Sequence, residues 1–175
     1  MSILPHIKQL IDAGKLIPYA PTDTCNDFRA VRTILFSEEM MAMCPPTGPS
    51  PVKNGLSGKP LATARALLED FVGGAELEED IDVKLLDPEA DGVWELRIVP
   101  ENQDRQVRFF GWFDSYDCFV VTHCEYRDVL GDRGSKEWKQ NIDKCKKKRV
   151  KFGNLPMCNP HLNIKSYLSN VVGSW

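Results

Sequence analysis

The sequence predicts an α+β fold around a single core, and three observations carry that expectation. A chain of 175 residues, 42% of them hydrophobic, can bury one sizeable core but is short for two independent ones. Four β-rich segments, Ile81 to Leu86, Val93 to Val99, Gln106 to Phe113 and Cys118 to Thr122, follow one another closely. Their connections, Asp87-Pro-Glu-Ala-Asp-Gly92, Pro100-Glu-Asn-Gln-Asp104 and Asp114-Ser-Tyr-Asp117, are too short for helical crossovers, so these strands should pair as consecutive antiparallel neighbours. Finally, stretches with helical periodicity lie on both sides of the strand block.

In chain order, Ile3, Ile7, Leu10 and Ile11 recur at helical spacing, with Ser2 as cap, Pro5 in the first turn and Gly14 as stop. Pro18 to Asp27 has no periodicity and reads as a connector. Ala30 to Phe36 is a β-branched strand, and Ser37-Glu-Glu-Met40 can begin a turn. Cys44-Pro-Pro-Thr-Gly-Pro-Ser-Pro51 is excluded from helix or sheet interiors, because each proline lacks a donor and restrains its predecessor. Leu61, Ala64, Leu67, Leu68 and Phe71 form one stripe of a helix from Pro60 to Val72, ended by Gly73-Gly74. After the strands, Ser135 caps a basic helix running to Arg149, with Trp138, Ile142 and Cys145 facing inward. A last helix is expected over Pro160 to Val172. The expected organisation is an N-terminal extension at 1–29, a core at 30–152 and a C-terminal extension at 153–175. The hydrophobic stripes of both extensions should pack on the core or against a second chain.

The apolar runs are too short to span a bilayer, and the N-terminus lacks the basic and apolar regions of a leader, so a cytoplasmic protein with no membrane contact is expected. Six scattered cysteines without a CxxC pair point to thiols over a disulfide framework. Cys118, His123, Cys124 and Cys145 are ligand types, but zinc needs about four convergent ligands and the usual close pairs are missing, so no metal or other cofactor is expected. Gly-rich phosphate loops, HExxH and GxSxG are absent, which removes support for nucleotide hydrolysis, zinc proteolysis and esterase chemistry. The net charge of −3 hides polarity: Glu69 to Asp91 is strongly acidic, whereas Arg127 to Lys151 carries ten basic residues against four acidic. That basic end could attract a polyanion locally, or simply be a solvated helix face.

Order and wording together carry a resemblance. Arg32-Thr-Ile-Leu-Phe-Ser37, Gly48-Pro-Ser-Pro-Val52, Ala64-Arg-Ala-Leu-Leu-Glu69, Val83-Lys-Leu-Leu86 and Trp94-Glu-Leu-Arg-Ile98 are followed by Val107-Arg-Phe-Phe-Gly-Trp-Phe113, Phe119-Val-Val-Thr-His123 and Lys146-Lys-Lys-Arg149. Over about two-thirds of its length the chain resembles the RelE/ParE toxin superfamily, in its phage-derived HigB-like branch. The resemblance implies a twisted antiparallel sheet of four to five strands flanked by helices. It also implies a toxin of a toxin–antitoxin pair, a metal-independent endoribonuclease acting on mRNA, ribosome-associated and neutralised by an antitoxin.

Cleavage through the 2′-hydroxyl needs proton transfer at two oxygens and stabilisation of a doubly charged phosphorane. By resemblance, Arg97 and Arg108 on neighbouring strands would stabilise the phosphate, and both should converge on a concave, solvent-accessible face. The competing possibility is that Arg97 pairs with Glu95 or Asp82 and only solubilises the sheet. His123 could move protons near neutrality, or be a hydrogen-bonded packing residue. Tyr126 and Arg127 follow in a loop that departs from the family pattern, with Glu125 and Asp128 beside the candidates where relatives carry paired lysines. Lys136, Lys139, Lys146, Lys147 and Arg149 are the expected RNA contacts. Two further readings stand beside the nuclease: a phage or prophage binding protein on a catalytically silent scaffold, and a gyrase-directed toxin, because a shared scaffold does not choose the target. The sequence leaves the partner and oligomeric state open.

Overall fold

A computed structural model describes residues 5–20, 30–87, 89–100, 105–153 and 164–172. Helix α1 (Pro5–Asp12) and strand β1 (Leu16–Pro18) open the chain. Strand β2 (Thr33–Ser37) leads directly into α2 (Glu38–Met43), whose N-cap is the Ser37 hydroxyl accepting from the Met40 N–H at 3.2 Å. Helix α3 (Gly58–Gly73) follows, and the left-handed Gly74, φ +82°, returns its N–H to the Asp70 and Phe71 carbonyls to stop it. Strands β3 (Leu77–Glu78), β4 (Val83–Leu85), β5 (Trp94–Ile98), β6 (Val107–Ser115) and β7 (Cys118–Tyr126) come next. A single turn, α4 (Arg127–Leu130), and the basic helix α5 (Lys136–Lys151) complete the main body; β8 (Val171–Val172) lies near the end.

One six-stranded sheet has the order β1-β2-β7-β6-β5-β4. The four expected strands are consecutive antiparallel neighbours, β4 to β7, in agreement with their short turns. The sheet as a whole is mixed, not antiparallel. The chain leaves β2, crosses through α2 and α3 to the far edge at β4, and zigzags back, so β7 arrives beside β2 running the same way. The unbroken apolar run Ile34-Leu35-Phe36 suits that interior position, where both faces are covered. Pro18, expected in the connector, instead ends the edge strand β1, where a missing N–H disturbs no ladder.

Two apolar layers sandwich the sheet. One gathers Leu61, Ala64, Leu68 and Phe71 of α3 on Trp94, Phe109, Phe113 and Phe119. The other places Ile7 of α1 and Trp138, Ile142 and Cys145 of α5 over Phe110, Trp112 and Val120. The N-terminal stripe thus packs on the core at Ile7, Leu10 and Ile11, while Ile3 lies outside the described residues.

The C-terminal helix is corrected. In its described part, Ile164–Ser166 is a 3₁₀ turn and Val171–Val172 pairs in parallel with Leu77–Glu78; 160–163 lie outside the described residues. The cause is a buried side chain far away in sequence. Arg32, 1% exposed, donates to the carbonyls of Phe71, Ser169 and Asn170, and Asp117 accepts from both the N–H (2.8 Å) and the hydroxyl (3.0 Å) of Ser169. Those groups would be consumed within a continuing helix, so the chain turns out at Asn170, φ +52°. Ile164 and Leu168 of the expected stripe remain buried in the core.

Candidate functional site

Alternation along a strand puts Glu95 and Arg97 of β5 and Arg108 of β6 on the sheet face that carries α4 and α5. Arg97 and Arg108 are direct cross-strand partners, a like-charged pair that needs a counter-ion. Glu95 supplies it. Its carboxylate is fully buried and meets Arg97 Nε at 2.7 Å, Arg108 Nε at 3.4 Å and Arg133 at 3.8 Å. Arg108 also donates to the Gln106 side chain at 2.8 Å and to the Val107 carbonyl at 3.2 Å, and Arg97 donates to the Asp80 carbonyl. Burial pushes the Arg108 guanidinium down to about 10; Glu95 opposes that, and the nearby Arg97, Arg127 and Arg133 add to it. Three guanidiniums therefore meet one buried carboxylate, a fourth, Arg127, acts on Arg108 from nearby, and Asp80 lies close enough to act on Arg97 and Arg133.

The expected solvent-accessible arginine pair is corrected in degree. The Arg108 side chain is 8% exposed and that of Arg97 12%; Arg133, at 52%, is the outward arm of the cluster. Sequence reasoning placed Arg97 near Glu95 as one possibility, and that contact is present. It missed Arg133 and Gln106 as members. Gln106 was findable, two residues before Arg108 on the same face, whereas Arg133 sits in the Asp132-Arg-Gly134 loop where no periodicity operates.

His123, expected as a proton carrier, is a packing residue here. It is 0% exposed, stacks on Phe110 at 4.9 Å between centroids, and has both ring nitrogens engaged: Nδ1 with the Thr122 hydroxyl (2.8 Å) and Nε2 with the Asn141 side-chain oxygen (3.1 Å). Asn141 donates its amide to the Glu137 carbonyl, so its oxygen accepts the Nε2 proton, while the Thr122 hydroxyl beside Nδ1 also donates to the Phe110 carbonyl at 3.1 Å. Burial first, then Lys144 and Lys148, push the imidazole down to about 3. The folded state thus refuses a proton that the unfolded chain takes up below about pH 6.5. Stability is expected to be full above that pH and to fall as pH drops toward 3. His123→Gln should flatten urea midpoints between pH 5 and 6.5; an unchanged slope there would assign it elsewhere. The Glu39 carboxylate acts in a lower window. Burial raises its pKa, but hydrogen bonds from Lys144 and Lys148 prevail and hold it at about 2, so its contribution is lost only as pH falls from about 4.5 toward 2.

Tyr126 faces the opposite side of the sheet from the arginines and packs at the edge of the α3 layer. The Arg105 guanidinium lies 3.7 Å from its ring centroid, itself held by two hydrogen bonds to Asp128. Arg127 does reach the cluster side: it donates to the Gly131 carbonyl and sits 5.9 Å from the Trp138 ring.

The basic helix divides by partner. Lys146 and Arg149 are committed to Asp91, its side chain at 2.9 Å and its carbonyl at 2.9 Å, and Lys144 and Lys148 to Glu39. Lys136, Lys139 and Lys147, with Lys151, are exposed and make no ion pair among the described residues. Among the described residues no helix is long and apolar enough to cross a membrane. No family model, curated protein or solved structure matches the chain.

Proposed function

We propose that the chain acts on mRNA as a protein of the RelE/HigB-like toxin type, taking the RNA backbone at the arginine cluster. One observation carries this: Arg97, Arg108 and Arg133 converge on the buried carboxylate of Glu95 with Arg127 close to Arg108, planar cations of the kind suited to phosphodiesters. Lys136, Lys139, Lys147 and Lys151 extend the positive surface along α5, while Lys146 and Arg149 hold that helix to the Asp91 turn. In cleavage, the arginines would stabilise charge on the phosphorane without a metal. A cytoplasmic setting and a neutralising antitoxin belong to the same proposal.

A second reading, binding without cleavage, is favoured by a specific feature: His123 is sealed beneath α5 and Tyr126 faces away, so neither offers its proton to a phosphate at the cluster.

Expression from a tight promoter with transcript 5′-end mapping separates the two. Growth arrest with new 5′ ends establishes the nuclease; unchanged ends with RNA retained on the protein establish the binder. Purified protein should bind single-stranded RNA with a salt dependence that falls by roughly 0.7 in slope for each phosphate contact removed in Arg127→Ala and Arg133→Ala. Binding that is absent, or indifferent to both substitutions, would exclude the cluster.

A further inference from the structure

Beside the arginine cluster runs a groove of about 510 Å³ between edge strand β4 and helix α5. Its apolar floor comes from Leu86, Trp138 and Ile142. We propose that this groove is a nucleobase slot for the residue next to the phosphate held by the cluster, and that it favours guanine. The proposal rests on the RNA-binding reading above and adds a base preference to it.

Arg133 joins the two features, because it lines the groove and also reaches Glu95 at 3.8 Å. A phosphate at the exposed Arg133 therefore places its attached nucleotide at the groove mouth. The size is right, since sites for small molecules of nucleotide size usually measure about 300–1,000 Å³. Charge complementarity supplies the rest. Lys139 lies on the rim with Arg133 and suits a backbone anion. The lining also holds Asp87 on the β4 side, near Lys84, which pairs with Asp80, and Asp143 one turn beyond Lys139 on α5; both aspartates are exposed and without an ion pair among the described residues, unlike Asp91, which Lys146 neutralises.

A carboxylate accepts hydrogen bonds and offers none, so it favours a base edge made of donors. Guanine presents a ring N–H and an adjacent amino group to one carboxylate, adenine and cytosine present only an amino group beside a ring acceptor, and uracil has no amino group. An apolar floor with carboxylates on its rim would repel phosphate itself, which keeps the backbone outside the groove, at Arg133.

The test uses the full chain and two fluorescent hexamers, all-uridine and the same strand with one central guanosine, read by anisotropy. Guanosine should tighten binding by about tenfold, within the range of one good bidentate base contact. In Asp87→Asn/Asp143→Asn that preference should collapse while all-uridine binding is kept or improved, because two negative charges have gone. Arg133→Ala should weaken both hexamers. Equal affinity of the two strands for the unaltered protein, or a preference that survives the double substitution, overturns the slot and leaves the arginine cluster standing. Failure to bind either strand overturns both. Light scattering on the same samples addresses another occupant: self-association abolished by Arg133→Ala would assign the groove to a second copy and overturn the base slot.

Discussion

Glu95→Ala is expected to lower folding stability by about 3–5 kcal/mol, the cost of leaving a buried charge without its partner. Arg108 is almost sealed from water and Arg97 stands directly across from it, so deleting the carboxylate between them adds repulsion to an uncompensated desolvation. Urea unfolding of the purified variant measures the loss. A Glu95→Leu/Arg108→Met variant should recover much of it, because well-packed apolar residues can replace a buried ion pair at little cost. A defining signature comes from anions. If the cluster accepts phosphodiesters, phosphate should stabilise Glu95→Ala more than the parent chain, standing in for the missing carboxylate. A stability loss below about 1 kcal/mol, the range of exposed pairs, would show that Glu95 does not hold the arginines together. Arg108→Ala should also destabilise, because this buried guanidinium is one of the partners of the Glu95 carboxylate.

Gly111→Ala is the second change with a large expected effect. Gly111 sits beside the irregularity in the β6–β7 pairing, and a Cβ there would fall 2.0 Å from the Val120 carbonyl oxygen and 3.0 Å from the Phe119 ring. The first obstacle is backbone in the middle of the sheet, which has no rotamer to move into. Relief requires prising β6 from β7, the pairing that also sets the His123–Phe110 stack and the Arg108 register. A loss of at least about 3 kcal/mol is expected, at or beyond the upper end of ordinary overpacking. Gly134→Ala provides the comparison. Its φ is +80° with nothing within 4 Å, so only the left-handed backbone opposes the substitution, at about 1–2 kcal/mol. Equal losses at the two positions would show that the close approach to Val120 is not what requires glycine at 111.

Much of the architecture was legible because it is written locally. Short turns dictated the antiparallel meander β4 to β7, and the stripe Leu61, Ala64, Leu68, Phe71 dictated a core helix. Ser135 announced the start of α5, where its hydroxyl accepts from the Trp138 N–H at 3.1 Å. These features depend on residues a few positions apart, so periodicity and capping reveal them. The resemblance implied that Arg97 and Arg108 would lie on neighbouring strands, and they are cross-strand partners, though largely buried.

Other features depend on atoms distant in the chain. The parallel seating of β2 beside β7 follows from where the α2–α3 crossover delivers the chain, which no local pattern encodes. His123 looked like a plausible proton carrier in isolation; its neutrality is decided by α5, which brings Asn141 and two lysines over it from positions 141 to 148. The C-terminal segment kept its apolar periodicity but lost its helix to the buried Arg32 and Asp117, which claim its backbone groups. What could be read from the chain alone was the meander, the helices α1, α3 and α5 and the faces they bury, because propensity and periodicity act within a few residues. Tertiary structure alone decided which charges meet. Glu95, Arg97, Arg108 and Arg133 become one site only when β5, β6 and the loop before α5 are packed together, since the energy of a buried charge depends on its neighbours in space and not on its neighbours in sequence.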